Sequence, residues 1–326
     1  MLSELKFVQG VVAKKGFVPE LTHFRIEGGR VQGYNGKIAL SAPIDFDIDC
    51  TPKAVNLVKA ISQCEEAVQL GMTPTGRLSI KSGKFRSYIT CIEGATPHVK
   101  PEGPLVDING EVMLDALQKL LPFIADDAAR PWSNGVLFNG HSAFATNNVI
   151  IAEYWLGTPL PVTLCIPLYA VKELLRIKKI PNRFQMSESS LTVHYEDGTW
   201  LRTNLIDTKW PEINKIINRD LSNLQEIPED FFNGLNKMTP FMDSFKRIIF
   251  EDGLMRTHSK GSEEGAQFEL EWLKGISTYA LPMLLKLEGV AKTMDLSQYP
   301  EPVPWCGDSI RGVIVGLRWV EENIGM

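Results

Sequence analysis

Three stretches of this chain share one plan at one spacing. They are "FRIEGGRVQGYNG" from Phe24, "VLFNGHSAFATNN" from Val136 and "IIFEDGLMRTHSK" from Ile248, with starts 112 residues apart. Each reads as an apolar-rich strand, a tight turn at Glu, Asn or Asp followed by Gly, and a second strand. A period of that length in 326 residues points to three copies of one supersecondary unit.

Other segments recur at nearly the same offset. "PKAVNLVKAI" from Pro52, "LYAVKELLRI" from Leu168 and "TYALPMLLKL" from Thr278 each carry apolar residues at helical spacing. Thr51 reads as an N-cap ahead of Pro52 in a first turn, and Pro282 also falls in a first turn. Helical stretches precede the three hairpins at Ser3 to Lys14, Glu111 to Ile124 and Glu229 to Met238, with Leu114, Leu117 and Leu121 in register in the second. Alternating segments follow, the clearest being "GRLSIKSGKFRSYITCI" with a turn at Ser82 and Gly83.

The repeat therefore predicts an α+β fold of three similar domains, helices on antiparallel sheets, spanning 1–105, 106–222 and 223–326. Linkers are expected near Pro101 to Val106 and Arg219 to Leu224.

Composition removes other classes. No apolar run reaches the roughly 18 residues of a membrane helix, and the first residues lack the pattern of a signal peptide, so a cytoplasmic protein without membrane contact is expected. Cys50, Cys64, Cys91, Cys165 and Cys306 form no CxxC pair and are odd in number, which argues against a disulfide framework or a metal site. His23, His98, His141, His194 and His258 show no ligand spacing, and no GxxxxGK[ST] or GxSxG occurs. Asp126 and Asp127 are adjacent and point apart, unlike an acid–base pair. No catalytic residue, cofactor or metal is expected, so the chain reads as a non-enzyme; a hydrolase with scattered active-site residues is the remote alternative.

The middle of the chain carries a resemblance. "NGVLFNGHSAFATNNVIIA" is similar to the "NG-x-LF…ATDGHRLA" segment of the bacterial and phage beta sliding clamps, the processivity factors of replicative DNA polymerases. "CIPLYAVKELLRI" looks like that family's "IPRKAL-x-EL", and "TNLIDTKWPEI" like its "SKLIDG-x-FPDY". The likeness spans essentially the whole chain. The sequence departs at Asn148, Val149 and Ile150, where the family has Gly-His-Arg, and at "VGLRW" (Val315 to Trp319), where it has "MPMRL"; the chain is also shorter than typical bacterial members, which favours a phage or otherwise divergent clamp.

The resemblance implies three clamp-type domains forming half of a ring, two subunits closing head to tail around duplex DNA, and a cleft that takes a short apolar motif of the polymerase and the clamp loader. It implies sequence-nonspecific DNA contacts at Lys14, Lys15 and Arg130, and pore-lining helices bearing Lys53, Lys59, Lys119, Lys172, Arg176, Lys178 and Lys179. Formal charges on the six candidate helices come to about +6 in a chain of net −5, a separation that suits a cationic lumen. It implies cleft walls at Leu137, Thr146, Asn148, Val149, Ile150, Phe245, Val303, Val313, Ile314, Val315, Leu317 and Arg318. It also implies a homodimer joint at Arg86, Ser87, Tyr88 and Ile89 against Met238, Thr239 and Phe241. The alternative is a clamp-derived adaptor that is monomeric or trimeric.

Overall fold

A computed structural model describes residues 1–318 apart from 14, 15, 17, 47, 94, 95, 243 and 258–263. The order of elements repeats as the sequence suggests. First come α1 (Leu2–Gln9), β1 (Arg25–Glu27), β2 (Arg30–Tyr34), β3 (Ile38–Pro43), α2 (Ala54–Ile61), β4 (Gln69–Met72), β5 (Arg77–Ser82) and β6 (Phe85–Thr90). The second round is β7 (Leu105–Val106), α3 (Gly110–Leu120), β8 (Gly135–Asn139), β9 (Ser142–Thr146), β10 (Ile150–Trp155), β11 (Leu164–Pro167), α4 (Leu168–Ile177), β12 (Arg183–Met186), β13 (Ser190–His194) and β14 (Trp200–Asn204). After α5 (Asn214–Ile217) the third round runs β15 (Gln225–Glu226), α6 (Glu229–Met238), β16 (Arg247–Glu251), β17 (Leu254–Arg256), β18 (Gln267–Glu269), β19 (Ile276–Ala280), α7 (Leu281–Leu284), β20 (Thr293–Met294), β21 (Val303–Gly307) and β22 (Ile310–Ile314).

The opening hairpins turn where the sequence placed glycine. Gly28 and Gly29 lie at φ 56° and 70°, Gly140 at 58°, and Asp252 and Gly253 at 30° and 86°. Positive φ at these sites is the backbone that a two-residue hairpin turn needs.

Some expected boundaries move. The first helix ends at Gln9 rather than Lys14, and the turn at Gly10 closes on Phe7 and Val8. The second begins at Ala54; Pro52 pairs with Cys91 as a bridge, and the Thr51 hydroxyl donates to the Ile92 carbonyl instead of capping. Thr278 to Ala280 are strand, because they extend β19 along β16, and the helix starts after them. The Pro101 to Val106 segment is held on a sheet rather than free, since β7 pairs with β12 and a Cβ at Gly103 would collide with the Met186 carbonyl.

By residue contacts the chain divides into two compact units, 1–114 with 169–206, and 115–168 with 207–326. The boundaries fall within α3 and at the start of α4 because the sheets are shared between repeats. In the first unit the order is β1-β2-β3-β14-β13-β12-β7, with β3 pairing antiparallel to β14 through Ser41↔Trp200 and Leu40↔Leu201. In the second it is β11-β8-β9-β10-β22-β21-β20-β15, with β10 on β22 through Ile151↔Val313. The same two positions of the repeat make both joins. Two smaller sheets remain, β4-β5-β6 in the first unit and β18-β17-β16-β19 in the second.

The two faces of the eight-stranded sheet differ in burial. Val136, Phe138, Ala143, Ala145, Ile150, Ala152, Val303, Trp305 and Ile314 are all wholly buried, and Trp305 meets Phe123 at a ring separation of 5.6 Å. A side chain at Gly312 would run into the Trp305 ring, so the glycine makes room for the indole. Among the described residues no helix is long and apolar enough to cross a membrane.

Candidate functional site

Side chains alternate across a strand, so the cross-strand pairs fix which residues share a face. Ile150↔Ile314 and Val303↔Ile314 lie on the wholly buried face. Leu137↔Phe144, Ile151↔Thr146, Ile151↔Val313 and Cys165↔Leu137 lie on the other, at 8% exposure for Leu137 and 6% for Phe144 and Ile151. Ile150, Val303 and Ile314, expected as cleft walls, are therefore core residues, and Ile151 is the neighbour that faces outward.

Above that outward face sits a recess of about 460 Å³. Its floor is Leu137 and Phe144, and Asn139 and the segment Trp210, Pro211, Glu212, Ile213, Asn214 and Lys215 complete its lining. The Trp210 ring stands edge-on to Trp132 at 5.1 Å, which fixes the indole plane. Lys215 pairs with Glu212. An apolar floor with a few polar groups at the rim suits capture of one or two apolar side chains.

Near the ends of β10 and β22 the expected residues are held by a locked turn. The Thr146 hydroxyl donates to the Ile150 carbonyl at 2.7 Å and accepts from the Asn148 amide. The Asn147 carboxamide oxygen accepts from the Val149 and Ile150 amides, and Asn148 stands at φ 70°. Thr146 thus holds the turn. The Val315 amide donates to the Val149 carbonyl at 2.9 Å, and the Leu317 amide to Thr278 at 2.7 Å. Val315, Leu317 and Phe245 are exposed apolar side chains, Arg318 is exposed, and Val149 and Asn148 are half-buried. The sequence reading missed Phe144 and the Trp210 to Lys215 wall, although the alternation of β9 and "TKWPEI" carried the signal.

The cationic candidates divide by partner. Lys53, Lys59, Lys172, Lys178 and Arg130 are exposed and have no ion pair among the described residues. Lys172 shares a face of α4 with Arg176, opposite the buried Ala170, Val171 and Leu174. Arg176 pairs with Glu173 at 2.5 Å, which raises the guanidinium's pKa. Lys179 pairs with Asp197 and lies over the Phe7 ring at 5.0 Å. Lys119 is 3.2 Å from Asp115 and lies 5.3 Å from the centre of the Tyr154 ring. Lys14 and Lys15 lie outside the described residues.

The joint candidates lie on a sheet edge. β6 pairs only with β5, leaving the other side of Arg86 to Ile89 open; Tyr88 is 56% exposed and Ile89 is buried. In the smaller sheet of the second unit the matching open edge is β18, which the sequence reading did not single out. Met238 is buried and Thr239 donates back to Leu235, so of the residues expected there only Phe241 presents a bare apolar surface.

The fold matches that of solved sliding clamps over nearly the whole chain. The DNA polymerase sliding clamp of Caulobacter crescentus superposes with a TM-score of 0.83 at 17% identity, covering 98% of this chain and 97% of that one. The sliding clamp of Pseudomonas aeruginosa gives 0.81 at 17% over the same shares. The Helicobacter pylori beta clamp, solved with a DNA ligase peptide, gives 0.76 at 15%, again over 98% and 97%. No family model matches the sequence, and no curated protein matches it significantly.

Proposed function

We propose that this protein is a sliding clamp: a scaffold, not a catalyst, that closes around duplex DNA and tethers a replicative polymerase. The carrying observation is the whole-chain clamp fold at TM-scores near 0.8. The chain is then three repeats, 1–105, 106–222 and 223–326. Both joins inside the chain pair the third strand after the opening helix of one repeat with the last strand of the next. β18 and β6 are the same two positions left over, so a second copy supplies the missing partner. Covering both edges in this way removes surfaces that otherwise invite aggregation. Arg86 on one edge and Glu269 on the other carry opposite charge.

Exposed lysines on α2 and α4 supply phosphate contacts without base readout, which lets the protein slide. Lys14, Lys15 and Arg130 are assigned to duplex contact on the resemblance. The recess over Leu137 and Phe144, with Val315 and Leu317, takes the apolar side chains of an extended polymerase or clamp-loader peptide.

The test is topological. The protein, loaded on a nicked circle, stays bound through gel filtration and is lost when the circle is cut; its molar mass in solution is twice 36.5 kDa. Equal loss from circles and linear DNA rejects encirclement, and a mass of one or three chains rejects the dimer. Changing Lys53, Lys59, Lys172 and Lys178 to Gln is expected to flatten the dependence of retention on log salt by about 3.6 units, near 0.9 per phosphate contact. An unaltered salt slope removes these lysines from the DNA surface.

A further inference from the structure

The recess of the second unit has a counterpart 112 residues earlier, within the first unit. Arg25 and Gln32 pair across β1 and β2 as Leu137 and Phe144 pair across β8 and β9. His98 and Lys100 stand in its wall at the places of Trp210 and Glu212. The architecture is conserved between the two and the chemistry is exchanged: two apolar floor residues become a cation and an amide, an indole becomes an imidazole, and a carboxylate becomes an ammonium. Ser142 is replaced in the same way by Arg30.

This second recess, of about 190 Å³, is braced before any ligand arrives. Gln32 is buried and spends its carboxamide on both backbone groups of Val99, at 2.5 and 3.0 Å, which pins the wall to the sheet. Arg30 donates to the Ser41 hydroxyl at 3.1 Å and the Gly198 carbonyl at 2.8 Å, leaving Nη1 uncommitted among the described residues. Arg25 is held by the Thr96 carbonyl at 3.0 Å and by Glu27, the one carboxylate in the lining. The Lys100 ammonium is exposed and makes no hydrogen bond or close ion pair among the described residues, feeling Glu27 only at longer range. Three cations thus face one carboxylate, in a chain whose net charge is −5.

We propose that this recess docks a carboxylate side chain of an extended acidic peptide from a partner protein, Arg30 and Lys100 being the groups that receive it. Fixed guanidinium donors form charge-assisted bonds to a carboxylate without reorganising. Outside the lysine-bearing helices the surplus of carboxylates disfavours the same peptide, so attraction on that surface is concentrated at the recess. The choice of a peptide rests on the reading of the second unit's recess as a peptide site; the preference for negative charge does not.

The test measures fluorescence anisotropy of labelled hexaglutamate and hexaglutamine on the full chain at about 50 mM salt, where screening is weak. Hexaglutamate binds and hexaglutamine does not. Arg30→Gln with Lys100→Gln weakens hexaglutamate roughly tenfold or more, the cost of two charge-assisted contacts. Lys100→Glu, at an exposed site that folding does not depend on, does the same with an unchanged melting temperature. Lys84→Gln with Lys274→Gln, two exposed lysines away from both recesses and from the lysine-bearing helices, leaves the affinity alone. Equal weakening by the Lys84 and Lys274 pair makes the attraction diffuse and overturns the proposal, as does binding of inorganic phosphate with no binding of hexaglutamate. A labelled hexapeptide rich in Leu and Phe reports the other recess: its failure with hexaglutamate retained sinks the peptide reading of the second unit alone, and the reverse sinks this one.

Discussion

An Ile150→Asp chain should fail to hold the second unit folded, while Leu317→Asp should fold normally and lose the apolar peptide. Ile150 is wholly buried on the face shared with Val303 and Ile314, where the described residues that pair across the strands are apolar and offer a carboxylate no partner. An unpaired buried charge there costs on the order of 4 kcal/mol, a large share of a domain's stability. Leu317 is 37% exposed, so the same substitution changes stability by only about 0.5 kcal/mol. Urea unfolding of both variants beside anisotropy with the labelled apolar hexapeptide separates the two effects. A stable Ile150→Asp protein that has lost the peptide would return Ile150 to the recess and reverse the face assignment. Ile151, one residue on, faces the other side but is only 6% exposed, so Ile151→Asp should destabilise the fold as well.

The second large effect concerns assembly. Tyr88→Lys places a charge on the open side of β6, where the neighbouring Arg86 already contributes one, and lysine on an edge strand discourages pairing. The expected result is a chain that runs at 36.5 kDa in light scattering, with an unchanged melting temperature and retention on nicked circles reduced at least tenfold. A dimer that survives this change, and also survives Phe268→Asp on β18, would place the joint elsewhere.

How much of this was visible in the residues depends on the range of the interaction that fixes each feature. The hairpins at Gly28, Gly140 and Gly253 were legible because turn chemistry is local. So were α4 and α6, whose apolar faces recur at helical spacing and are buried as that spacing requires. The parity of β10 was not, because "NNVIIAEYW" offers consecutive apolar residues on both faces and only its partners at Ile314 and Val313 decide which is core. Nor were the joins between repeats, since a strand carries no local mark of the neighbour it meets over a hundred residues away. The Pro101 to Val106 segment looked like a linker for the same reason: its proline and glycine are typical of loops, yet Gly103 is needed for close approach to Met186. The Trp210 to Lys215 wall was quoted in the sequence for its likeness and overlooked for its place, which only the sheet beneath it reveals.

Because each join pairs the third strand after the opening helix of one repeat with the last strand of the next, never like with like, the pattern has a direction. An assembly closed by the same rule has no symmetry axis that exchanges its front for its back, and so its two sides are chemically distinct.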